Sequence, residues 1–218
     1  MAKAGAPSTT AATGSDRSAA TRRRFVDAAV HTLRTEGYAG ASARVIATRA
    51  GLNQGLIFYH FGSVANLLLA ALDSVSDERL ERYRADVSGV TSPVRLVDVA
   101  EGIFRTDLDA GYLTVLVEMI AGASSTPGLG PEVSARIRPW REFARTTIEA
   151  SVGDSPLAGV LPPEEVAHAV VALYLGLEML SHLDGDPDPA LALFGHARQL
   201  ASLLEAVSTP ATTTEESP

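Results

Sequence analysis

Several side chains between residues 42 and 63 are of types that read the edges of DNA bases. Gln54 can pair with adenine through two hydrogen bonds, and Arg44 can reach guanine or a phosphate. Leu56 can touch a thymine methyl group, and Gly55 permits close approach of the backbone. These four residues are therefore candidate base-reading positions.

A second set of side chains in the same region suits contacts with DNA phosphates, which position a protein without reading sequence. Tyr59 and His60 follow the base-reading residues, and Ser42 precedes a predicted helix whose backbone N–H groups can bind an anion. Arg22 and Arg23 crowd the first turn of another predicted helix, where the helix dipole disfavours positive charge. We interpret that misfit as a sign of an external anion.

The charge of the chain is divided unevenly, although its net value is −8. Residues 1–62 carry eight basic and three acidic side chains, whereas the remainder carries ten basic and 23 acidic ones. A nucleic-acid partner confined to the N-terminal quarter fits this division, and an architectural protein with widespread positive charge does not. The alternative is that the acidic part is simply a soluble surface.

Other kinds of chemistry find little support in the residues. The chain has no cysteine, Gly-rich phosphate loop, G-x-S-x-G or H-E-x-x-H motif. His168 and His182 lie on one predicted helix, about 20 Å apart at ~1.5 Å per residue, too far to share a metal. We therefore expect no catalytic residue, no metal site and no cofactor.

The elements that must position these residues are helices, because no segment alternates like a strand. The apolar spacing predicts an all-α fold of about nine helices, the first over 21–36 and the next two over 43–50 and 54–60. Ser42 is the expected N-cap of the second helix, Gly51 the left-handed turn residue, and Asn53 the cap of the third. A helix-turn-helix of this kind fits a DNA major groove.

The segment from 25 to 72 resembles the DNA-binding domain of the TetR family of bacterial transcriptional regulators. The resemblance lies in the order and spacing of framework residues, namely Ile46-Ala47, Ala50-Gly51-Leu52, Gly55, Phe58-Tyr59-His60-Phe61, Ser63 and Leu67-Leu68. It implies an N-terminal three-helix DNA-binding domain followed by a larger helical domain that binds a ligand and dimerises.

Three positions depart from the family's pattern. Val64 stands where a lysine is usual, Phe58 where a tyrosine is frequent, and Ala43 where a threonine is common. Each departure removes a phosphate contact that the resemblance would otherwise imply.

The domain limits follow from the helix pattern and the composition. We expect a disordered tail over 1–20, the helix-turn-helix domain over 21–66, a ligand-binding and dimerisation domain over 67–207, and a second disordered tail over 208–218. Paired half-sites on DNA require a dimer, and the apolar helices near 162–182 and 190–207 are the expected interface of a homodimer. The alternative for these helices is the core of a single chain.

The residues expected to line a ligand pocket are aromatic or sulfur-containing side chains and two glutamates in apolar surroundings: Phe104, Tyr112, Glu118, Met119, Trp140, Phe143, Tyr174 and Glu178. A buried carboxylate is costly unless it is paired. Glu118 and Glu178 would therefore meet either a cationic or hydroxylated ligand or an internal arginine, with Arg105, Arg141 and Arg145 as the candidates.

Together these observations predict a cytoplasmic regulator that binds a palindromic operator in double-stranded DNA, with no membrane partner. Its expected action is that of a repressor released from the operator by a small molecule. The alternatives are an enzyme, or a non-specific DNA-binding protein, built on the same helical scaffold.

Overall fold

The computed structural model describes residues 14–110, 112–152 and 162–208. Over these residues the chain forms nine helices and no strand, which confirms the predicted all-α class. The helices are α1 (Gly14–Gly40), α2 (Ala43–Ala50), α3 (Gly55–Phe61), α4 (Val64–Asp86), α5 (Pro93–Ala110), α6 (Tyr112–Ala123), α7 (Leu129–Val152), α8 (Pro163–Asp184) and α9 (Asp188–Ser208).

The chain divides into two compact units between Ala71 and Leu72, inside α4. The predicted boundary at 66/67 is five residues too early, because the first two turns of α4 still belong with the helix-turn-helix. Leu67 and Leu68 in those turns are buried. A single helix can contribute buried side chains on both sides of a domain boundary, so the boundary need not coincide with the start of α4. Residues of α4 thus serve both units.

Helix α1 begins at Gly14, seven residues before the predicted start. The expected tail over 1–20 is therefore wrong for residues 14–20, whereas residues 1–13 lie outside the described residues. Asp16 in the first turn suits the helix dipole, and Thr21 Oγ1 donates a hydrogen bond to the Arg17 carbonyl at 2.9 Å. Gly37, which follows the predicted end of the helix at residue 36, interrupts α1 with a φ of 71°.

The core of the first unit is small and made of side chains from all three N-terminal helices. Phe25 and Leu33 of α1, Ile46 of α2 and Ile57 of α3 are fully buried. Phe25 meets Phe61 edge to face, with ring centroids 6.3 Å apart. This core fixes the angle between α2 and α3.

The second unit consists of α5 to α9 and the remainder of α4, with α5 packed on α9 and α7 on α8. Fully buried apolar side chains include Phe104, Val115 and Met119. Helix α7 runs through Pro139 without the late start that the proline suggests. Helix α9 extends to Ser208, so the predicted C-terminal tail begins one residue too early, and 209–218 lie outside the described residues.

Candidate DNA-binding face and ligand cavities

Three small polar or flexible residues set the start of α2 and the turn from α2 to α3. Ser42 Oγ accepts a hydrogen bond from the Val45 N–H at 3.3 Å, and Gly51 adopts a φ of 63°, so both predicted roles are confirmed. Asn53 Oδ1 accepts from the Gly55 N–H at 2.8 Å. A Cβ at Gly55 would lie 3.1 Å from that oxygen, so this glycine also makes room for the turn itself.

The exposed side of this corner presents most of the residues that the sequence singles out. Arg44 and Gln54 are exposed, and Tyr59 keeps 80 % of its surface open to solvent. Leu56 and His60 are half-buried, and the Tyr59 and His60 rings meet edge to face at 4.9 Å. The structure therefore leaves these side chains on the outside of the corner, where a major groove would meet them.

Arg22, Arg23 and Arg24 lie in the third turn of α1 rather than its first, because α1 begins at Gly14, and they divide into two roles that the sequence does not reveal. Arg22 donates from Nη1 to the His60 carbonyl and lies 4.4 Å from the Phe61 ring centroid. Arg24 Nη2 donates to the Ala50 carbonyl at 2.6 Å. Both arginines thus satisfy carbonyl groups at helix C-termini, where positive charge is favourable.

The unfavourable first-turn placement that suggested an external anion is therefore absent, and Arg22 already has a partner within the protein. Arg23 is exposed and makes no ion pair with the described residues, so it keeps the predicted role of a phosphate contact. Arg49, by contrast, pairs with Glu36 at 2.5 Å. The free positive charge at this face is smaller than the sequence count suggests.

The second unit holds a cavity of about 190 Å³ among α4 to α8, which we call the apolar cavity. Four of the predicted ligand-pocket residues line it: Tyr112, Trp140, Phe143 and Tyr174. Trp140 Nε1 donates to Ser76 Oγ at 2.6 Å, which satisfies the indole and fixes its ring. Phe104 and Met119 instead lie in the core and line neither described cavity, because their fully buried side chains pack against neighbouring helices.

A buried cluster of charged and polar side chains lies at one side of the apolar cavity. Asp107 accepts hydrogen bonds on Oδ2 from Arg79, at 2.5 Å, and from the Tyr174 hydroxyl, at 2.8 Å. Its Oδ1 accepts from Arg82 at 2.9 Å. Burial and then the charge of Asp107 raise the pKa of Tyr174 above its usual range, so this phenol stays protonated and donates.

The Arg79 guanidinium is held between aromatic rings as well as carboxylates. Its Nε donates to the Tyr83 hydroxyl at 3.2 Å, and its carbon lies 5.2 Å from the Tyr112 and 5.3 Å from the Trp140 ring centroid. Burial disfavours its charge, but Asp107 and then Glu178 outweigh that effect and raise the pKa of Arg79. This arginine is fixed and permanently charged.

Glu178 belongs to the same cluster but is not satisfied by it. Its residue is 1 % exposed, and neither carboxylate oxygen has a hydrogen-bond partner. Arg79 Nη2 lies 3.6 Å from Oε1, an ion-pair distance beyond hydrogen bonding. Burial raises the pKa of Glu178 to about 7, and the attraction of Arg79 offsets only part of that effect.

Glu178 also lines a second cavity of about 220 Å³, which we call the acidic cavity because Asp107 and Glu118 line it too. The predicted internal partners of the glutamates are wrong for Glu178, whose partner is Arg79. Two of the predicted arginines lie elsewhere in local pairs, Arg105 with Glu101 at 2.8 Å and Arg145 with Glu142 at 2.5 Å. Helical spacing of three or four residues favours such local pairs over distant ones.

An extended apolar face covers the outer sides of α8 and α9. Its side chains are exposed by 43 to 74 %, namely Val170, Leu173, Met179, Leu180 and Leu183 of α8 and Leu193, Leu200, Leu203 and Val207 of α9. By length and apolar composition alone α8 could also cross a membrane, and 17 % of its most apolar window is buried. Exposed apolar side chains in this number make the face a candidate interaction surface.

The geometry of the first unit agrees with the match of its sequence to known proteins. Residues 25–71 match the profile of the bacterial regulatory proteins of the tetR family. An uncharacterized HTH-type transcriptional regulator of Mycobacterium tuberculosis is 32 % identical over 151 residues, covering 69 % of this chain and 74 % of that protein. The chain belongs to the TetR family. It is a DNA-binding transcriptional regulator, and the family is one of regulators rather than enzymes.

Solved structures extend the likeness of this TetR-family chain to both units. A TetR transcriptional regulator from Chloroflexus aurantiacus is 25 % identical, with a TM-score of 0.69 over 85 % of this chain and 96 % of that one. The regulator FadR from Bacillus subtilis, solved with stearoyl-CoA, is 15 % identical, with a TM-score of 0.65 over 82 % and 96 %. The second likeness shows a shared fold alone.

Proposed function

We propose that this regulator is a cytoplasmic repressor that binds a palindromic operator as a homodimer and leaves it when a small molecule fills the apolar cavity. The observation that carries the proposal is a helix-turn-helix with exposed base-reading side chains in a chain that also holds an apolar cavity. The first unit reads DNA, and the second holds the effector and the partner subunit.

Base reading is assigned to the exposed residues at the start of α3 and on α2. Gln54 makes no side-chain cap bond to its own helix, so its amide is available for adenine. Arg44 is exposed and makes no ion pair with described residues, which leaves it for guanine or phosphate. Ser42, Gly55, Leu56, Tyr59 and His60 complete the contact surface, with Arg23 as a phosphate contact and Arg22 as its support.

Two single substitutions test this assignment on the promoter region of the chain's own gene. We expect Gln54→Ala to lose about 1–3 kcal/mol of preference for the operator over random DNA, since a bidentate base contact carries that much discrimination. We expect Arg23→Ala to weaken operator and random duplexes equally and to reduce the salt dependence of binding by about one phosphate contact.

Fluorescence anisotropy on both duplexes at several salt concentrations measures both effects. The reverse pattern, or equally weak binding of the unmodified protein to every sequence, would refute the proposal. Arg34→Ala is a useful comparison because it removes a charge from the same helix but at a different, exposed position.

The effector is a compact apolar molecule. A cavity of about 150 Å³ is known to admit benzene, so about 190 Å³ suits a single-ring body with a small polar group. FadR of the same fold is described with stearoyl-CoA, a far larger ligand. The polar group of the effector would meet Arg79 or the Tyr174 hydroxyl on a cavity wall that also includes Ser76, Arg136 and Thr147.

The homodimer is assigned to the exposed apolar face of α8 and α9. The half-sites that such dimers read lie about 34–36 Å apart, so a second subunit is needed to present a second helix-turn-helix. Because the chain belongs to a family of DNA-binding regulators, a dimer interface explains the apolar surface of α8 better than a membrane span does. Glu118 and Glu178 are binding or structural groups in this proposal, not catalytic ones.

A further inference from the structure

We propose that the acidic cavity is a second ligand site, one that binds a small organic cation through an ammonium group that donates to Glu178. The apolar cavity plays no part in this inference, which therefore stands or falls apart from the proposed effector site. The starting observation is that Glu178 is 1 % exposed while both of its carboxylate oxygens lack a hydrogen-bond donor.

The neighbouring donors are already used by other groups. Arg79 donates from Nη2 to Asp107 and from Nε to the Tyr83 hydroxyl. Arg82 and the Tyr174 hydroxyl also donate to Asp107. Asp107 thus collects three donors and Glu178 none, although the two carboxylates share Arg79 as a neighbour. Native proteins rarely leave a buried carboxylate in this condition, because its desolvation is not repaid.

The cavity beside Glu178 has the charge and the size to supply the missing donor. Its lining includes the carboxylates of Asp107, Glu118 and Glu178, and it includes no lysine or arginine. Its volume of about 220 Å³ exceeds the roughly 150 Å³ that admits a benzene ring. Met179 and Leu183, which are exposed in the single chain and belong to the proposed dimer face, also line it, so the cavity opens toward that face of α8.

The ligand class follows from what this lining can and cannot bind. An anion would face three carboxylates, and the imidazole of His182 is the one basic side chain in the lining. A metal ion would need a set of His, Asp and Glu ligands at coordinating spacing, and the described residues contain no such set. An ammonium group on an apolar body suits both the carboxylates and the apolar side chains of the lining, because its N–H groups donate to Glu178 and its carbon atoms contact Leu113 and Val117.

The test titrates the full-length protein by isothermal calorimetry, with and without Ala144→Phe to fill the apolar cavity, and compares three molecules of equal shape in the filled variant: benzylammonium chloride, benzyl alcohol and sodium benzoate. We expect benzylammonium to bind at least about tenfold more tightly than the alcohol, since a charge-assisted hydrogen bond to a buried carboxylate carries that much. Benzoate should not bind to this site.

Glu178→Gln should weaken benzylammonium by at least about tenfold, because the amide keeps the shape and loses the charge. Glu165→Gln is the matched control: it lies on α8, is exposed and lines neither cavity, so it removes equal charge without touching the site. Val117→Phe, which fills the acidic cavity without altering charge, should also abolish binding.

The proposal is overturned if the alcohol binds as tightly as the ammonium, or if Glu178→Gln and Glu165→Gln weaken binding equally. It is also overturned if Val117→Phe binds benzylammonium as the unmodified protein does while its circular dichroism shows an intact fold. Binding that survives these changes but is lost when the apolar cavity is filled would place the cation in the apolar cavity instead, and so would also overturn it.

Discussion

The buried carboxylate of Glu178 should make the folding of this protein less favourable as pH rises, and Glu178→Gln should remove that dependence. The pKa of Glu178 is raised from 4.5 to about 7 in the folded protein because burial disfavours the charged form. Below pH 4.5 the group is protonated in both states and has no effect. Between pH 4.5 and about 7 the unfolded chain carries a solvated charge while the folded chain stays mostly protonated, so stability is lost as pH rises through this window and levels off above it.

The size of the effect follows from the difference between the two pKa values. At 1.36 kcal/mol for each pKa unit, a pKa raised from 4.5 to about 7 costs about 3 kcal/mol of folding free energy at about pH 8 and above. Most of this cost appears between about pH 5 and pH 8. Because the glutamine side chain of the Glu178→Gln variant does not titrate, the free energy of unfolding of the variant relative to the unmodified protein should rise by about 2–3 kcal/mol over that interval.

Urea denaturation followed by circular dichroism at about pH 5, 6.5 and 8 measures this difference, without any added amine. Other titrating groups act alike in both proteins, so the comparison isolates Glu178. Glu165→Gln should show a flat difference over the same range, because Glu165 is exposed. A Glu178→Gln difference that is independent of pH, or one that falls as pH rises, would refute the reasoning: it would mean that Arg79 holds Glu178 ionised throughout.

Two further outcomes are expected from the proposed effector site and interface. Ala144→Phe, which places a ring into the apolar cavity, should change operator affinity in a gel shift by no more than about threefold. The same variant should no longer be released from the operator by single-ring compounds, and release that persists would place the effector elsewhere. Leu203→Glu on the exposed face of α9 should convert the dimer, of twice 22.8 kDa, into a monomer in sedimentation. Gln199→Glu on the same helix should leave the dimer intact. A monomeric unmodified protein at micromolar concentration would contradict the dimer.

The helix-turn-helix is the part of the fold that the sequence predicts best, because its local signals act over short distances. Ser42 caps α2, Gly51 takes the left-handed turn, and Ser63 Oγ accepts from the Asn66 N–H at 3.1 Å as expected of a cap. The start of α1 at Gly14 escaped prediction because residues 14–20 lack bulky apolar side chains, and helical periodicity is read from those side chains.

The contacts of charged side chains are the part that the sequence does not predict. Arg22 and Arg24 bind carbonyl groups that lie 38 and 26 residues further along the chain, and no local spacing indicates such partners. Glu178 shows the same limit, since its partner Arg79 lies on α4 and not among the arginines of α5 and α7. The lining of the apolar cavity was partly predictable from the sequence, because a cavity among helices is usually bordered by several large aromatic side chains.

The cost of the polar cluster bears on what the two cavities are for. Replacing a buried ion pair by apolar residues is often neutral or stabilising, so stability alone does not account for a cluster of Arg79, Asp107, Tyr174 and Glu178 inside a helical domain. Arg79 and Tyr174 line the apolar cavity, and Asp107 accepts hydrogen bonds from Arg79 and Tyr174 and lines the acidic cavity together with Glu178. A group whose charge is held at a cavity wall is well placed to recognise a ligand, because its desolvation is already complete before the ligand arrives. The same burial that lowers the stability of the folded protein at high pH therefore strengthens the attraction between Glu178 and a cation that reaches it.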